Sequence, residues 1–137
     1  MKIYTEIQIN ATAEKIWSVL TDFEKYSEWN PFIKSLQGNV VVGGTISAHI
    51  QDMHFKPKVL TFRPNKGFSW LGSLWVKGLF DGLHSFELQQ QEDGSTRFIQ
   101  QEVFSGILVR LFAKSLNTKT KAGFIKMNEA LKWRTEI

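Results

Sequence analysis

Two long strand-like segments, joined by a short polar loop, occupy the region from Leu79 to Gly106. Apolar and polar residues alternate along both segments, which is typical of paired β-strands whose side chains point to opposite faces in turn. One face of the first segment collects Phe80, Gly82, His84, Phe86 and Leu88. With an odd number of loop residues, the second segment adds Thr96, Phe98, Gln100, Glu102 and Phe104 to that face. An apolar wall with a few polar groups in it is typical of a small-molecule cavity.

The register of this hairpin decides whether His84 and Glu102 face each other. A five-residue connection over residues 91–95 pairs Gln90 with Thr96 and places His84 directly opposite Glu102. Directly opposed residues have Cβ atoms roughly 4.5–5.5 Å apart, which is close enough for their side chains to form a hydrogen bond. A buried carboxylate is seldom tolerated without such a partner, so we expect the two side chains to interact.

A shorter turn is the alternative register. Asp93-Gly94 is a strong signal for a two-residue hairpin turn, and that turn would move Glu102 to the other face of its strand. We prefer the longer loop, because it gathers the phenylalanines of both strands on one face and leaves Arg97 in solvent.

Two roles are open for the His84–Glu102 pair. As a catalytic pair, an oriented imidazole and carboxylate would move a proton to or from a bound carbonyl compound. As a structural pair, the two groups would satisfy each other and orient the polar end of a ligand, as ion pairs outside active sites also do. Only the catalytic role predicts that replacement of His84 abolishes turnover.

The chain has the size and composition of one globular domain, which we assign to residues 1–137. The absence of cysteine excludes disulfides, thiolate metal sites and cysteine nucleophiles. The N-terminal segment alternates like a strand and lacks the apolar run of a signal peptide. No segment approaches the roughly 20 apolar residues of a membrane span. These features predict a cytoplasmic location.

The net charge of +4 is concentrated near the C-terminus. Beyond Ser105 there are seven basic residues and two acidic residues. Such a segment is either the solvated face of an amphipathic helix or a surface for phospholipid headgroups or another acidic partner. No DNA-reading motif or RNA-binding aromatic signature accompanies the charge, which argues against nucleic acid as a partner. The sequence leaves the oligomeric state open.

Periodicity along the rest of the chain predicts an α+β fold. Lys2–Asn10 alternates like a strand, Thr12 caps the helix that follows it, and a second short helix is predicted through Glu24–Glu28. Six strand candidates follow, among them Thr45–Gln51, and the last helix is predicted from about residue 106 to residue 134. At ~1.5 Å per helical residue and ~3.3 Å per strand residue, this helix and the hairpin strands both reach ~40 Å. We therefore predict a curved antiparallel sheet of about seven strands that wraps around the last helix.

Several local motifs are more specific than the periodicity. In the first half they are residues 13–17 (AEKIW), 19–23 (VLTDF), Tyr26 and residues 29–32 (WNPF). In the second half they are residues 79–82 (LFDG), 84–88 (HSFEL), 96–98 (TRF) and 102–106 (EVFSG). With these motifs the chain resembles the START-like or Bet v 1-like superfamily, in particular its polyketide cyclase/dehydrase-type branch. The resemblance covers nearly the whole chain and implies a helix-grip fold with two short helices after the first strand.

Members of this superfamily bind lipids, sterols, hormones, quinones or polyketides, and some are enzymes, so the resemblance is specific for the fold and poor for the function. It implies that this chain binds a small apolar or amphipathic molecule between its sheet and its last helix. One alternative is a cyclase- or dehydratase-type enzyme that acts on a cyclic carbonyl substrate through His84 and Glu102. Another is a lipid-transfer or membrane-surface protein that uses the basic C-terminal helix.

Trp70 and Trp75 bracket an apolar segment that contains Gly72, and Gly78 follows it. The two glycines predict a mobile connection between strands, and an apolar loop beside a pocket predicts a lid or a contact with a membrane or partner. Because tryptophan is highly buried on average, core packing of both indoles is the alternative. Trp29 is expected to close the same mouth.

The predicted ligand-binding residues combine the hairpin face, the tryptophan rim and the last helix: Trp29, Trp70, Trp75, Phe80, His84, Phe86, Phe98, Gln100, Glu102, Phe104, Phe112 and Leu116. The three histidines lack metal-ligand spacing, so no metal site is expected. No Walker loop, dinucleotide glycine fingerprint or nucleophile elbow is present, so no cofactor is expected either. The expected partner is a small hydrophobic ligand.

Overall fold

A computed structural model describes residues 1–137, which form eight strands in two antiparallel sheets and a long C-terminal helix. The strands are β1 (Lys2–Ile9), β2 (Ile33–Gln37), β3 (Ser47–Ile50), β4 (Met53–Phe55), β5 (Lys58–Arg63), β6 (Gly67–Leu74), β7 (Phe80–Gln90) and β8 (Thr96–Ser105). The helices are α1 (Ala13–Leu20), α2 (Tyr26–Trp29), α3 (Val109–Ser115) and α4 (Lys121–Glu136), with a 3₁₀ turn (Phe23–Lys25) before α2. One sheet has the order β1-β8-β7-β6-β5, and the other has the order β2-β3-β4.

The α+β architecture is confirmed, but a second sheet replaces part of the single sheet of about seven strands that the sequence predicts. The strands β2, β3 and β4 contain only five, four and three residues, and Gly38, Gly43-Gly44 and Pro57 interrupt the chain before and after them. The predicted strand Thr45–Gln51 is shortened at both ends. Thr45 forms only an isolated bridge to Lys58, and Gln51 has a φ of 53° in the turn to β4.

The first helix forms as the sequence predicts. The side chain of Thr12 accepts a hydrogen bond from the backbone N–H of Lys15 at 3.3 Å, which satisfies one free donor at the helix start. α1 buries Ile16 and Leu20 against the core. Because α4 packs against both α1 and β1, these early elements are part of the same core as the end of the chain.

The C-terminal helix is continuous but irregular. It begins at Val109, three residues later than predicted, and ends at Glu136. Between α3 and α4, residues Leu116–Thr120 form a π-helical segment, which the sequence analysis does not predict. None of the helices is both long and apolar enough to cross a membrane.

The long hairpin has the register of the five-residue connection. β7 and β8 pair His84 with Glu102, and the connection covers residues 91–95, so the preferred register is confirmed. Inside the loop, the carboxylate of Asp93 accepts hydrogen bonds from the hydroxyl and the backbone N–H of Ser95. These hydrogen bonds lower the pKa of Asp93, since they favour its charged form.

The tryptophan segment is largely regular strand, contrary to the prediction of a mobile connection. Trp70 to Leu74 belong to β6 and pair with β7, and the Trp70 side chain is buried in the core. The turn to β7 begins only at Trp75, whose side chain is exposed and whose φ is 64°. The two indoles therefore have different environments.

Candidate ligand-binding site

A cavity of about 300 Å³ lies where the two sheets meet the beginning of the C-terminal helix. Its walls come from one end of β6, β7 and β8, from the β3–β4 hairpin, and from α3 with the π segment. The volume is at the lower end of the range for small-molecule pockets, roughly 300–1,000 Å³. The lining residues are Phe32, Ile50, Gln51, Asp52, Met53, Phe55, Pro57, Trp70, Gly72, Leu74, Trp75, Phe80, Gly82, His84, Glu102, Phe104, Phe112, Ser115, Leu116, Lys119 and Thr120.

Aromatic side chains form much of the apolar wall. The ring centroid of Phe80 is 5.7 Å from that of Phe104 and 5.4 Å from that of Phe112. Phe112 also contacts Trp75, with ring centroids 5.9 Å apart. Trp70 forms the inner part of the wall, where it is buried. The wall therefore suits a ligand with a flat or apolar body.

His84 and Glu102 form the polar part of the inner wall. They are directly opposite in the register of β7 and β8, and His84 Nδ1 is 3.3 Å from Glu102 Oε1. The side chain of His84 is 2% exposed and that of Glu102 is 15% exposed, so the carboxylate is more accessible to a ligand. Aromatic rings enclose the imidazole, with the ring centroids of Phe86 and Phe124 at 4.5 and 4.9 Å.

Gly82 provides the space for this carboxylate. It lies on β7 two residues before His84, on the same face of the strand, and a Cβ atom built there would overlap Oε2 of Glu102. Because glycine has no side chain, the carboxylate can approach the backbone of β7 closely. Glu102 is therefore held between the backbone of Gly82 and the imidazole of His84.

A network of buried hydrogen bonds extends from His84 away from the cavity. His84 Nε2 is 2.9 Å from Oε1 of Gln100, and Nε2 of Gln100 donates to Oδ1 of Asn128 at 2.7 Å. Asn128 donates to Oγ1 of Thr5 at 2.9 Å, and Thr5 donates to the backbone carbonyl of Gln100 at 2.8 Å. All four side chains belong to buried residues, so the network is shielded from water.

The direction of this network assigns a hydrogen to His84 Nε2. The backbone carbonyl oxygen of Gln100 can only accept a hydrogen bond, so the Thr5 hydroxyl donates to it. The same hydroxyl then accepts a hydrogen bond from the side-chain amide of Asn128. Asn128 then accepts through Oδ1 from the amide of Gln100, and the free Oε1 of Gln100 accepts from His84. Since Nε2 carries this hydrogen, Nδ1 is the nitrogen that can exchange a proton with Glu102.

The C-terminal helix is irregular where it borders the cavity. Leu116, Lys119 and Thr120 belong to the π segment, and all three line the cavity together with Ser115. π-Helical bulges are rare and are frequent at functional sites, because they alter the direction of side chains within one turn. The irregular turn therefore supports the assignment of this cavity as the site.

Most of the predicted ligand-binding residues line the cavity: Trp70, Trp75, Phe80, His84, Glu102, Phe104, Phe112 and Leu116. Strand alternation and helical spacing assigned them to the correct faces, and the cavity brings these faces together. Their contact with a ligand stays a prediction.

Phe86, Phe98 and Gln100 lie outside the cavity lining, contrary to the prediction. They are on the predicted face of the hairpin, but this part of the face belongs to the core between the sheet and α4. Gln100 contacts Asn128 and the carbonyl of Phe124, both on α4. Alternation assigns a residue to a face, whereas the elements packed on that face decide how far along it a cavity extends.

Trp29 is also outside the cavity lining, so its expected place at the mouth is wrong. It belongs to α2 and packs against Tyr26, with ring centroids 5.3 Å apart. Among the three rim tryptophans, Trp75 is the one at the outer edge of the cavity, and Trp70 belongs to the inner wall.

The β3–β4 hairpin contributes lining residues that the sequence analysis does not identify. Residues 50–53 and Phe55 line the cavity, and Phe32 reaches it from the segment before β2. Phe32 packs against Phe124 of α4, with ring centroids 5.2 Å apart. The alternation of residues 46–50 predicted which of these residues share a face, but it does not show against which element this short strand packs.

The outer edge of the cavity is more polar than its interior. Lys119 and Thr120 lie on the helix side, and Gln51 and Asp52 lie on the hairpin side. Asp52 is 3.9 Å from Lys34, and both side chains are exposed, so this ion pair contributes little to stability. An amphipathic ligand can therefore meet polar groups at both ends of the cavity.

One protein family matches almost the whole chain. The model of a family described as "Polyketide cyclase / dehydrase and lipid transport" matches residues 1–134. No curated protein sequence matches the chain significantly.

Solved structures with the same fold also cover nearly the whole chain. The hypothetical protein jhp0584 from Helicobacter pylori is 16% identical, with a TM-score of 0.85 over 99% of this chain and 88% of that one. A START superfamily protein from Mycobacterium smegmatis is 18% identical, with a TM-score of 0.71 over 98% and 97%. The Aha1 dimer from Colwellia psychrerythraea is 25% identical, with a TM-score of 0.70 over 96% of each chain. The arrangement of sheet and C-terminal helix is the helix-grip fold of START-like proteins.

Proposed function

The chain belongs to the polyketide cyclase/dehydrase and lipid transport family, and from this membership we propose that it binds a small apolar or amphipathic molecule in its cavity. Membership narrows the function to ligand binding or cyclase-type chemistry, and the choice between them depends on the site. The observation that carries the proposal is the cavity of about 300 Å³, whose aromatic wall contains one carboxylate–imidazole pair. Such a site is typical of a pocket that orients a mostly apolar ligand by a few polar groups.

The partly exposed carboxylate of Glu102 determines which polar group the ligand presents at the inner end. A bound ligand removes water from this carboxylate, and that loss is costly unless the ligand supplies a donor. A hydroxyl or amine on the ligand would supply it, while the apolar body lies against Phe80, Phe104 and Phe112. We therefore expect a ligand with one donor group at the end of an apolar or aromatic body.

Native mass spectrometry of freshly purified protein, compared with the mass after denaturation, tests this proposal. We expect either a removable additional mass or, in its absence, binding of the apolar probe 1-anilinonaphthalene-8-sulfonate. Gly72→Leu should abolish both, because the new side chain fills the cavity, where a Cβ at this position meets only Pro57 at 3.7 Å.

The matched control is Ser73→Leu, since Ser73 is the next residue of β6 and points to the opposite face. This variant should retain the additional mass and the probe. The cavity is not the binding site if the wild-type protein binds neither a ligand nor the probe, or if both variants lose binding to the same extent.

The second candidate function is a dehydratase-type reaction on a β-hydroxyketone, which the position of Nδ1 beside Glu102 favours. The carboxylate takes the proton of the carbon next to the carbonyl and exchanges it with Nδ1 of His84, and the leaving hydroxide then receives this proton and departs as water. The products are the enone and water, so no redox partner is required. An oriented acid–base pair contributes typically 10²–10⁴-fold to such a step.

Enone absorbance with a cyclic β-hydroxyketone measures this reaction. Glu102→Gln and His84→Gln should each lose turnover while the cavity still binds 1-anilinonaphthalene-8-sulfonate. Turnover that survives in Glu102→Gln would exclude the carboxylate as the base, and the protein would then be a binding protein only.

A further inference from the structure

An exposed apolar patch lies beside the cavity, and ligand binding does not account for most of it. Its members are Trp75 and Val76 in the β6–β7 turn and Ile107 and Leu111 at the beginning of the C-terminal helix, and they are 61–77% exposed. Four large apolar side chains at this level of exposure are a cost in water unless another surface covers them. We call these four residues the apolar patch.

The two segments that carry the apolar patch are held together by direct contacts. The backbone N–H of Ile107 donates to the carbonyl of Gly78 at 3.4 Å, and that of Leu108 donates to the carbonyl of Leu79 at 3.0 Å. The ring of Trp75 contacts Phe112, the residue that follows Leu111. The two segments that carry the four side chains are therefore adjacent.

The backbone at Trp75 is a second unusual feature of this surface. Its φ of 64° lies in the left-handed region, which bulky residues rarely adopt. Such conformations persist where the surrounding structure imposes them, and they cluster at functional sites. Here the conformation directs a large indole to solvent at the edge of the cavity instead of into the core.

The surroundings of the apolar patch are basic. Lys77 lies in the β6–β7 turn, Arg110 and Lys114 lie on α3, and all three are exposed. Residues 67–80 and 103–128, which form the two sides of this surface, contain no acidic residue. The exposed charges of these two ranges are therefore all positive, whereas Asp81, directly after Phe80, is buried and accepts hydrogen bonds from the backbone N–H of Gly78.

We propose that the apolar patch, with Lys77, Arg110 and Lys114 around it, docks on the surface of a bilayer that contains anionic phospholipids. Tryptophan and aliphatic side chains enter the boundary between headgroups and acyl chains, where tryptophan is enriched. Basic residues beside them are attracted by the negative surface potential of the lipids. An acidic protein surface would also attract the charges, but it would leave four large apolar side chains facing polar groups.

Docking in this orientation connects the membrane with the cavity. Trp75 belongs both to the apolar patch and to the cavity lining, so the mouth of the cavity faces the bilayer in the docked state. An apolar ligand could then pass between bilayer and cavity with little exposure to water. This passage rests on the proposed ligand-binding function, whereas the docking itself does not.

Co-sedimentation with vesicles tests the docking. The wild-type protein should bind vesicles of phosphatidylcholine with phosphatidylglycerol, bind phosphatidylcholine alone much more weakly, and lose binding as salt screens the charges. Trp75→Ser combined with Leu111→Ser should lower the partition coefficient at least tenfold, on the order expected for removal of two inserted apolar side chains. The matched control is Val41→Ser with Val42→Ser, an exposed apolar pair outside the patch, which should bind like the wild type.

A second pair of variants, equal to each other in net charge, tests the basic residues. Arg110→Glu with Lys114→Glu should weaken binding by at least about 20-fold, because each basic residue near an anionic surface contributes about fivefold. Arg63→Glu with Lys66→Glu has the same residue types and charge change, but these residues lie at the opposite end of β6. This control should retain most of the binding.

Three outcomes would overturn the proposal. The first is no binding of the wild-type protein to anionic vesicles, and the second is equal loss of binding in both charge variants. The third is a wild-type dimer in size-exclusion chromatography with light scattering that the Trp75 and Leu111 variant converts to a monomer, since the patch would then be a contact between copies. Probe binding in the cavity is measured without vesicles, so failure of docking and failure of ligand binding are distinguishable.

Discussion

Glu102 is the side chain on which the proposed chemistry of the cavity depends, and its position is determined by Gly82, by His84 and, through His84, by Gln100. The backbone of Gly82 lies on one side of the carboxylate, and the imidazole of His84 lies on the other. Gln100 accepts from His84 Nε2, so the ring cannot rotate without the loss of a buried hydrogen bond. The carboxylate therefore has one fixed partner, and its remaining lone pairs are available to the cavity.

Gly82→Ala should displace the carboxylate without removing it. The new methyl group overlaps Oε2 of Glu102, so the side chain must rotate away from His84. We expect the free energy of unfolding to fall by about 1–2 kcal/mol, because Nδ1 of buried His84 loses its partner and the restriction of the unfolded chain by alanine offsets only part of this loss. Nitrogen NMR of the His84 ring should nevertheless show a changed Nδ1 resonance.

The control for this variant is Gly72→Ala, where the methyl group makes only an ordinary contact of 3.7 Å with Pro57. It should leave the His84 resonances unchanged. If the Nδ1 resonance in Gly82→Ala matches the wild type, Gly82 does not position the carboxylate.

Tyr26→Phe should destabilise the protein at neutral pH and remove part of its sensitivity to alkali. Tyr26 is fully buried and donates to the carbonyl of Leu20, so loss of this hydrogen bond costs about 1 kcal/mol. Burial also raises the pKa of the Tyr26 hydroxyl. The contribution of Tyr26 to the free energy of unfolding is thus complete below about pH 10. It falls at higher pH, because the tyrosine of the unfolded chain ionises there and that of the folded protein does not.

Urea denaturation between pH 7 and pH 11 measures this effect. The stability difference between the wild type and Tyr26→Phe should shrink above about pH 10, by up to ~1.4 kcal/mol per pH unit. Tyr4→Phe is the control, because Tyr4 is exposed and should show a much smaller change. A constant difference across this range would mean that Tyr26 ionises equally well in the folded protein.

At the scale of elements, the C-terminal helix both packs in the core and borders the cavity, and its irregular turn lies between these two parts. α4 fills the core through Phe124, Met127 and Leu131, whereas α3 and the π segment border the cavity. A π bulge adds one residue to a helix and leaves the helical segments on both sides intact. The side chains of α3 can therefore point in a different direction from those that a regular continuation of α4 would give, although the helix is continuous.

Deletion of Asn117 should convert the π segment into regular α-helix and leave the protein folded. Asn117 is exposed and does not line the cavity, so the core faces of α3 and α4 keep their positions. We expect a cost of about 1–3 kcal/mol, typical of a tolerated change, together with weaker binding of the apolar probe, because Lys119 and Thr120 move. Thermal unfolding and probe titration measure both effects.

Deletion of Lys126 is the matched control within the regular part of α4. It rotates the following residues by about 100° and turns Met127 and Leu131 out of the core, so this variant should not fold. If deletion of Asn117 is equally damaging, the π segment is not a one-residue insertion.

At the scale of the whole molecule, α4 connects the two sheets, and at Gly123 it packs closely against Phe32. A Cβ atom at this position would lie 2.5 Å from Cδ1 of Phe32, which also lines the cavity. The two sheets share no strand. Backbone hydrogen bonds around the Thr45–Lys58 bridge join them directly, and α4 with Phe32 connects them as well. The volume of the cavity depends on this position.

Gly123→Ala should therefore destabilise the protein, although alanine favours helices by about 1 kcal/mol over glycine. Displacement of Phe32 should cost about 1–3 kcal/mol, as is typical of overpacked cores, and should lower affinity for the apolar probe. Urea denaturation and probe titration measure both. Ala122→Gly, one residue earlier on the exposed side, should lose about 1 kcal/mol without an effect on the probe. A stabilised Gly123→Ala variant would contradict the close packing.

Much of the hairpin could be predicted from the sequence, because its determinants are local. Alternation with a period of two assigned His84 and Glu102 to faces, and the five-residue connection then paired them. The burial of Gln100 under α4 could not be predicted in this way, since it depends on Asn128, which lies 28 residues farther along the chain. Trp29 shows the same effect, because its contact with Tyr26 depends on how α2 packs.

The sequence by itself determined the α+β class and the alternation of faces along each hairpin strand, and it favoured one of two hairpin registers, which the structure then confirmed. These features follow from backbone geometry within a few residues, so local patterns predict them. The tertiary structure alone decided the second sheet, the π segment, the extent of the cavity and the apolar patch beside it. Each of these depends on contacts between residues far apart in the chain, such as Asn128 with Thr5 and Ile107 with Gly78, and no local period encodes such contacts.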